Sequence, residues 1–153
     1  MADAGDNAHR ALVETLNGAL ADHLALYLKT KNFHWHVSGP RFRDLHLLFD
    51  EQATQILGLV DTIGERVRKN GAPTLTSIGA VGRLSTVADQ DNAELPADAM
   101  LTELLADNEA LLTRLRAVKD ASEAAGDHAT NGMVDEWIDG AEERVWFLRQ
   151  TSR

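Results

Sequence analysis

Residues 32 to 67 read "NFHWHVSGPRFRDLHLLFDEQATQILGLVDTIGERV", and the fold turns on how this stretch is parsed. "VSGP" at 37–40 is a breaker, because Gly and Pro punctuate a helix. After it, Leu45, Leu48, Phe49, Ile56, Leu57, Val60, Ile63 and Val67 recur every three or four residues, which predicts one long amphipathic helix ending at "NGAP", 70–73. Before it, Leu12, Leu16, Leu20, Leu24 and Tyr27 keep the same rhythm to Lys31, so a first helix is expected over roughly residues 8–35, capped by Asn7 and preceded by a short flexible tail, 1–7.

Downstream, "TLTSIGAVGRLSTVADQDNAELPA" at 74–97 is the longest connection, and its small apolar centre is expected to form one short helix. Leu101, Leu104, Leu105, Leu111, Leu112, Leu115 and Val118 mark a third long helix ending near Gly126. Val134, Trp137, Ile138, Ala141, Val145 and Leu148 mark a fourth. No strand-like alternation competes. Two helices, a long crossover and two more helices predict an all-α fold, the ferritin-like four-helix bundle, as a single domain over 1–153.

Bulk composition agrees. A chain of 153 residues removes roughly 68–70% of its unfolded surface from water, enough for a real core. With 24 acidic against 15 basic residues the net charge is −9, so a polyanion is repelled and cations are attracted. The absence of cysteine excludes disulfides, zinc–thiolate sites and thiol nucleophiles. "MADAGDNAHR" at the start has no apolar segment of the kind a secretory signal needs, and no run reaches the ~18 apolar residues of a membrane helix, so the expected location is the cytoplasm.

Three of the six histidines, His34, His36 and His46, fall within thirteen residues. On the second helix His46 and Asp50 are four apart, as are Asp61 and Glu65, so each pair shares a face. Eleven residues from Asp50 to Asp61 make three turns with about 20° of drift, so both pairs lie on one stripe, yet their ends are about 16 Å apart. One chain therefore holds two half-sites. If two copies of the helix cross antiparallel about a twofold axis near residues 55 and 56, His46 and Asp50 of one face Asp61 and Glu65 of the other. His34 can fold back over the turn as a fifth ligand.

Two imidazoles and three carboxylates suit Fe(II), with Zn or Mn able to substitute. A bridging carboxylate can hold a second ion at ~3.5–4 Å, and two Fe(II) can give two electrons to peroxide or oxygen, the chemistry of a ferroxidase. Against this stands the blander reading that i, i+4 acid and histidine pairs are common on solvated faces. His9, His23, His36 and His128 lack a carboxylate pattern and are not expected as ligands. Trp35 suits core or interface packing, with radical interception as a second role. "RVRK" at 66–69 reads as a basic helix end complementing the dipole.

These same residues resemble the Dps family, the ferritin-like proteins named for DNA protection in starved cells. "HWHVSGPRFRDLHLLFDE" followed by "DTIGERV" is similar to that family's pattern of His-Trp, a Gly turn, His-x-x-x-Asp and Asp-x-x-x-Glu. The Glu-x-x-His motif expected of ferritins with a site inside each bundle is absent from the sequence. The resemblance implies a hollow homo-dodecamer that oxidises Fe(II), preferably with hydrogen peroxide, and stores the ferric mineral. It carries the ferroxidase ligands onto His34, His46 and Asp50 of one subunit with Asp61 and Glu65 of its mate. It also implies acidic pores near the start of the last helix, for which Glu123, Asp127 and Asp135 are candidates, although His128 and Gly132 stand where relatives often carry acids.

The resemblance raises DNA binding and nucleoid association as well. Relatives that bind DNA directly use a Lys/Arg-rich tail, whereas the first ten residues here hold one arginine and no lysine and "RQTSR" ends the chain. Tight DNA binding by an acidic shell at physiological salt is not expected. A nucleoid-binding assembly without iron chemistry, and a hemerythrin-like oxygen binder, are the alternatives.

Overall fold

The computed structural model describes residues 3–153. All regular elements among the described residues are helices: α1 (Ala4–His36), α2 (Phe42–Leu57), α3 (Val60–Lys69), α4 (Ile78–Leu84), α5 (Ala97–Ala124) and α6 (His128–Thr151).

The first helix starts earlier than its apolar rhythm suggests. Asp3 is the N-cap, its carboxylate accepting from the backbone N–H of Asp6 at 2.7 Å, and Asn7 lies inside the helix. Of the expected tail 1–7, residues 4–7 are helical and 1–2 lie outside the described residues. An apolar stripe cannot report a cap that precedes it by two turns. Helix α1 ends where expected, with Gly39 in the left-handed region at φ 106°.

The second long helix is interrupted. At Gly58 and Leu59 the ladder tightens, Leu59 N–H turning to the carbonyl of Ile56, three residues back, before Ile63 N–H to Leu59 C=O restores the α-helical pattern. Glycine inside a helix costs ~1 kcal/mol relative to alanine, and kinks collect there. Apolar spacing survives the break, with Phe49, Ile56, Ile63 and Val67 all fully buried.

The ends of the helices establish the topology. Arg41, at the start of α2, bonds Asp98 at the start of α5 and the carbonyl of Thr151 at the end of α6. Arg66, near the end of α3, bonds Asp127 and Thr130 at the start of α6. Helices α2 and α5 therefore run parallel, and the connection between α3 and α5 must travel the length of the bundle. It is tied down along α1: buried Asp22 accepts from Ser85 Oγ, Thr86 N–H and Thr86 Oγ1 at 3.1, 2.7 and 2.9 Å. Lys29 reaches the carbonyl of Ala88 and Asn32 that of Gln90, both at 2.9 Å. The expected short helix inside this crossover is α4, capped by Ser77.

Leu12, Leu16, Phe33, Phe49, Met100, Leu104, Leu111, Leu115, Val134 and Leu148 form the core, with Phe33 and Phe49 tilted against each other across α1 and α2. Polar residues join it. His23 is fully buried, its Nδ1 donating to the carbonyl of Ala19, and burial pushes its pKa down to about 4. Arg144, also buried, gives its Nε–H to Asn108 and is lowered to about 10 by the same loss of water.

Candidate metal centre

The turn at 37–41 folds α2 back along α1 and sets the two histidines face to face. The rings of His34 and His46 stack at 3.8 Å between centroids and 15° between planes. Each donates from Nδ1 to the other's backbone carbonyl, His34 to His46 at 2.6 Å and His46 to His34 at 2.7 Å. This pairing assigns the Nδ1–H tautomer to both and leaves a lone pair on each Nε2, which is how ligating histidines are commonly oriented. Phe42 also stacks on His46, at 5.1 Å between centroids.

Asp50 stands one turn beyond His46, its Oδ1 lying 3.9 Å from His34 Nε2 and receiving a 2.8 Å bond from Lys31 Nζ. The hydrogen bond from Lys31 holds the carboxyl below the usual range. The structure thus brings His34, His46 and Asp50 into one corner, half-buried. Lys31 was not a candidate in the sequence, although its place three residues before His34 puts it on the same helix face.

Asp61 and Glu65 are exposed on α3, one turn apart. Among the described residues no group of three or more His, Asp or Glu side chains is assembled to hold a metal ion within one chain. Between the two half-sites the exposed positions are Glu51, Thr54, Gln55, Leu57 and Gly58, while Ile56 turns into the core. Trp35, Phe42, Leu47 and Leu57 are exposed on the same two helices at 59, 44, 45 and 43%. Trp35 is therefore not a core residue; its ring lies 5.9 Å from Lys31 Nζ.

The other histidines are engaged elsewhere or isolated. His9 bonds the carbonyl of Asn70, His36 bonds Asn32, and His23 is inside the bundle.

The three pore candidates separate. Asp127 is the N-cap of α6, accepting from Thr130 N–H and Oγ1, from Asn70 and from Arg66, with both ion-pair side chains about one-tenth exposed. Burial alone raises its pKa, but the bonds from Thr130, Asn70 and Arg66 outweigh it and hold the carboxyl well below the normal range. Asp127 is thus committed to joining α3 to α6. Its sequence separation from Arg66 hid this, and Arg66 does more than complement a helix dipole. Asp135 pairs with Lys119 at 2.9 Å. Glu123 alone of the three is exposed with no ion pair among the described residues.

A ferritin-like domain model matches residues 13–153. The "DNA protection during starvation protein" of Brevibacillus brevis is 34% identical over 133 residues, covering 87% of this chain and 89% of its own length. Among solved structures, Dps from Thermosynechococcus elongatus superposes with a TM-score of 0.94 at 26% identity, over 99% of this chain and 96% of that one. A Dps protein from Bacillus brevis gives 0.91 at 29% identity, over the whole of both chains. By the ferritin-like domain match over residues 13–153 and these Dps relatives, the chain belongs to the Dps family of ferritin-like proteins.

Proposed function

We propose that the protein is a ferroxidase and iron store whose sites form between subunits. The observation that carries this reading is the reciprocal pairing of His34 and His46, which leaves two imidazole lone pairs beside the Asp50 carboxylate at the edge of an exposed apolar face. Twofold pairing of the α2–α3 stripe adds Asp61 and Glu65 of the partner subunit, completing a set of two imidazoles and three carboxylates. Fe(II) is the substrate favoured by this mixed nitrogen–oxygen set, with Zn or Mn able to occupy it.

In the reaction, His34, His46 and Asp50 hold Fe(II) with the partner's Asp61 and the partner's Glu65, the carboxylates offsetting the growing positive charge. Two Fe(II) each lose one electron, the O–O bond of one hydrogen peroxide breaks, and two protons complete two waters. Both electrons leave together, so no hydroxyl radical is released. Trp35 at the rim is placed to intercept a stray oxidising equivalent. Fe(III) then collects in the cavity of a hollow dodecamer in the cytoplasm, with Glu123 the strongest remaining candidate for a pore lining.

Addition of hydrogen peroxide to anaerobic protein loaded with Fe(II) is expected to oxidise iron far faster than buffer alone, and His46→Ala with Asp50→Ala is expected to remove the difference. Equal rates in protein and buffer overturn the reading. Solution mass is expected to be that of twelve chains. The net charge of −9 per chain supports protection through iron chemistry, so DNA is not expected to be retarded in a gel at physiological salt.

A further inference from the structure

Among the described residues Lys31 is the one lysine or arginine bonded to this half-site, and its position is specific. Its Nζ lies 2.8 Å from Asp50 Oδ1, and that same oxygen is the one 3.9 Å from His34 Nε2. The side chain is only 21% exposed, against 47% for Asp50. His34 and Trp35 lie three and four residues after Lys31 along α1, so imidazole and indole flank the ammonium one turn on.

A divalent cation shared by His34 Nε2 and Asp50 Oδ1 competes with the ammonium for the same carboxylate oxygen. Like charges at such a separation repel, and more strongly once a partner surface excludes water. We propose that Lys31 sets the affinity and charge selectivity of the centre: its ammonium occupies Asp50 Oδ1 beside His34, and a divalent cation binds by displacing it. The inference rests on the reading of His34, His46 and Asp50 as cation ligands.

The displaced ammonium has a place to go. Trp35 already lies 5.9 Å from Nζ, and a ring face accepts a cation within about 6 Å. Lys31 thereby favours dications, whose attraction to the carboxylates exceeds that of the ammonium, over monovalent ions, which match its charge and lack its covalent tether. It touches the ligand carboxylate but not the reacting atoms, and is a positioning residue.

Calorimetric titration with Zn(II), which undergoes no redox change, tests this on the assembled protein. Lys31→Met is expected to bind Zn(II) about fivefold or more tighter than the parent protein, because one opposing unit charge is gone. Lys31→Gln is expected to do the same, and Lys31→Arg, which keeps the charge, to stay near the parent value. Unchanged or weaker binding in both Lys31→Met and Lys31→Gln, with helical content retained, overturns the proposal while leaving the site standing. If the parent protein binds no Zn(II), or binds it equally well after His46→Ala with Asp50→Ala, the site reading falls and this inference falls with it.

Discussion

The imidazoles of His34 and His46 hold each other in place: each Nδ1–H bonds the backbone carbonyl of the other residue, at 2.6 and 2.7 Å, and the rings stack at 3.8 Å. Neither ring has its orientation without its neighbour. Removal of either should therefore disorder both, and Zn(II) affinity should fall by about 10–100-fold in His34→Ala or His46→Ala alone. The double variant is expected to lose much less than the product of the two. A double-mutant cycle on Zn(II) binding reads this directly, and strict additivity would show that the rings act independently.

Two half-sites on one rod predict complementation between defective subunits. One variant lacks His46 and Asp50 (both to Ala), the other lacks Asp61 and Glu65 (to Asn and Gln). Each alone should be inactive. Dissociated, mixed equally and reassembled, half of the dimers are mixed, and each mixed dimer keeps one intact site of two, so Fe(II) oxidation should return to about a quarter of the parent rate. A centre built inside one chain would give no recovery.

Asp127 is structural, and stability should report it. Asp127→Ala removes a helix cap and leaves the Arg66 guanidinium, about one-tenth exposed, without its carboxylate. Breaking a pair of this kind by removing one partner costs about 3 kcal/mol or more. Thermal unfolding of Asp127→Ala is expected to shift down by several degrees, while Glu123→Gln keeps the parent midpoint and slows Fe(II) uptake into the cavity.

His23 adds acid sensitivity from inside the bundle. Its folded pKa of about 4 lies below the ordinary 6.5, so the unfolded chain takes up a proton first as pH falls through 6.5, and stability drains away until the folded state also protonates near 4. The group is fully buried, and the gap corresponds to roughly 3 kcal/mol between neutral pH and pH 4. His23→Leu, similar in volume, is expected to unfold with a shallower pH dependence across this window. An identical slope in denaturant titrations from pH 7 to pH 4 would show that His23 is not the group responsible.

Much of the architecture was legible because helices announce themselves by period. Leu12, Leu16, Phe49, Ile63, Leu104, Leu115, Val134 and Leu148 are core residues by spacing and core residues in the fold. What the period missed is what it does not encode. The break at Gly58–Leu59 leaves the apolar phase intact, and the Asp3 cap lies outside the apolar stripe. The pairs Arg66–Asp127, Asp22–Arg114 and Asn108–Arg144 join residues 36 to 92 positions apart, beyond any local pattern.

The sequence by itself determined the helix plan, the acidic charge and the one-turn spacing of His46–Asp50 and of Asp61–Glu65, because these follow from 3.6 residues per turn and from counting charges. Only the tertiary structure decided which way the imidazoles are turned, that Lys31 stands on Asp50, and that Asp127 is spent on Arg66. Each of these depends on how one helix is folded against another, and the energy that selects it comes from contacts no single helix can make alone.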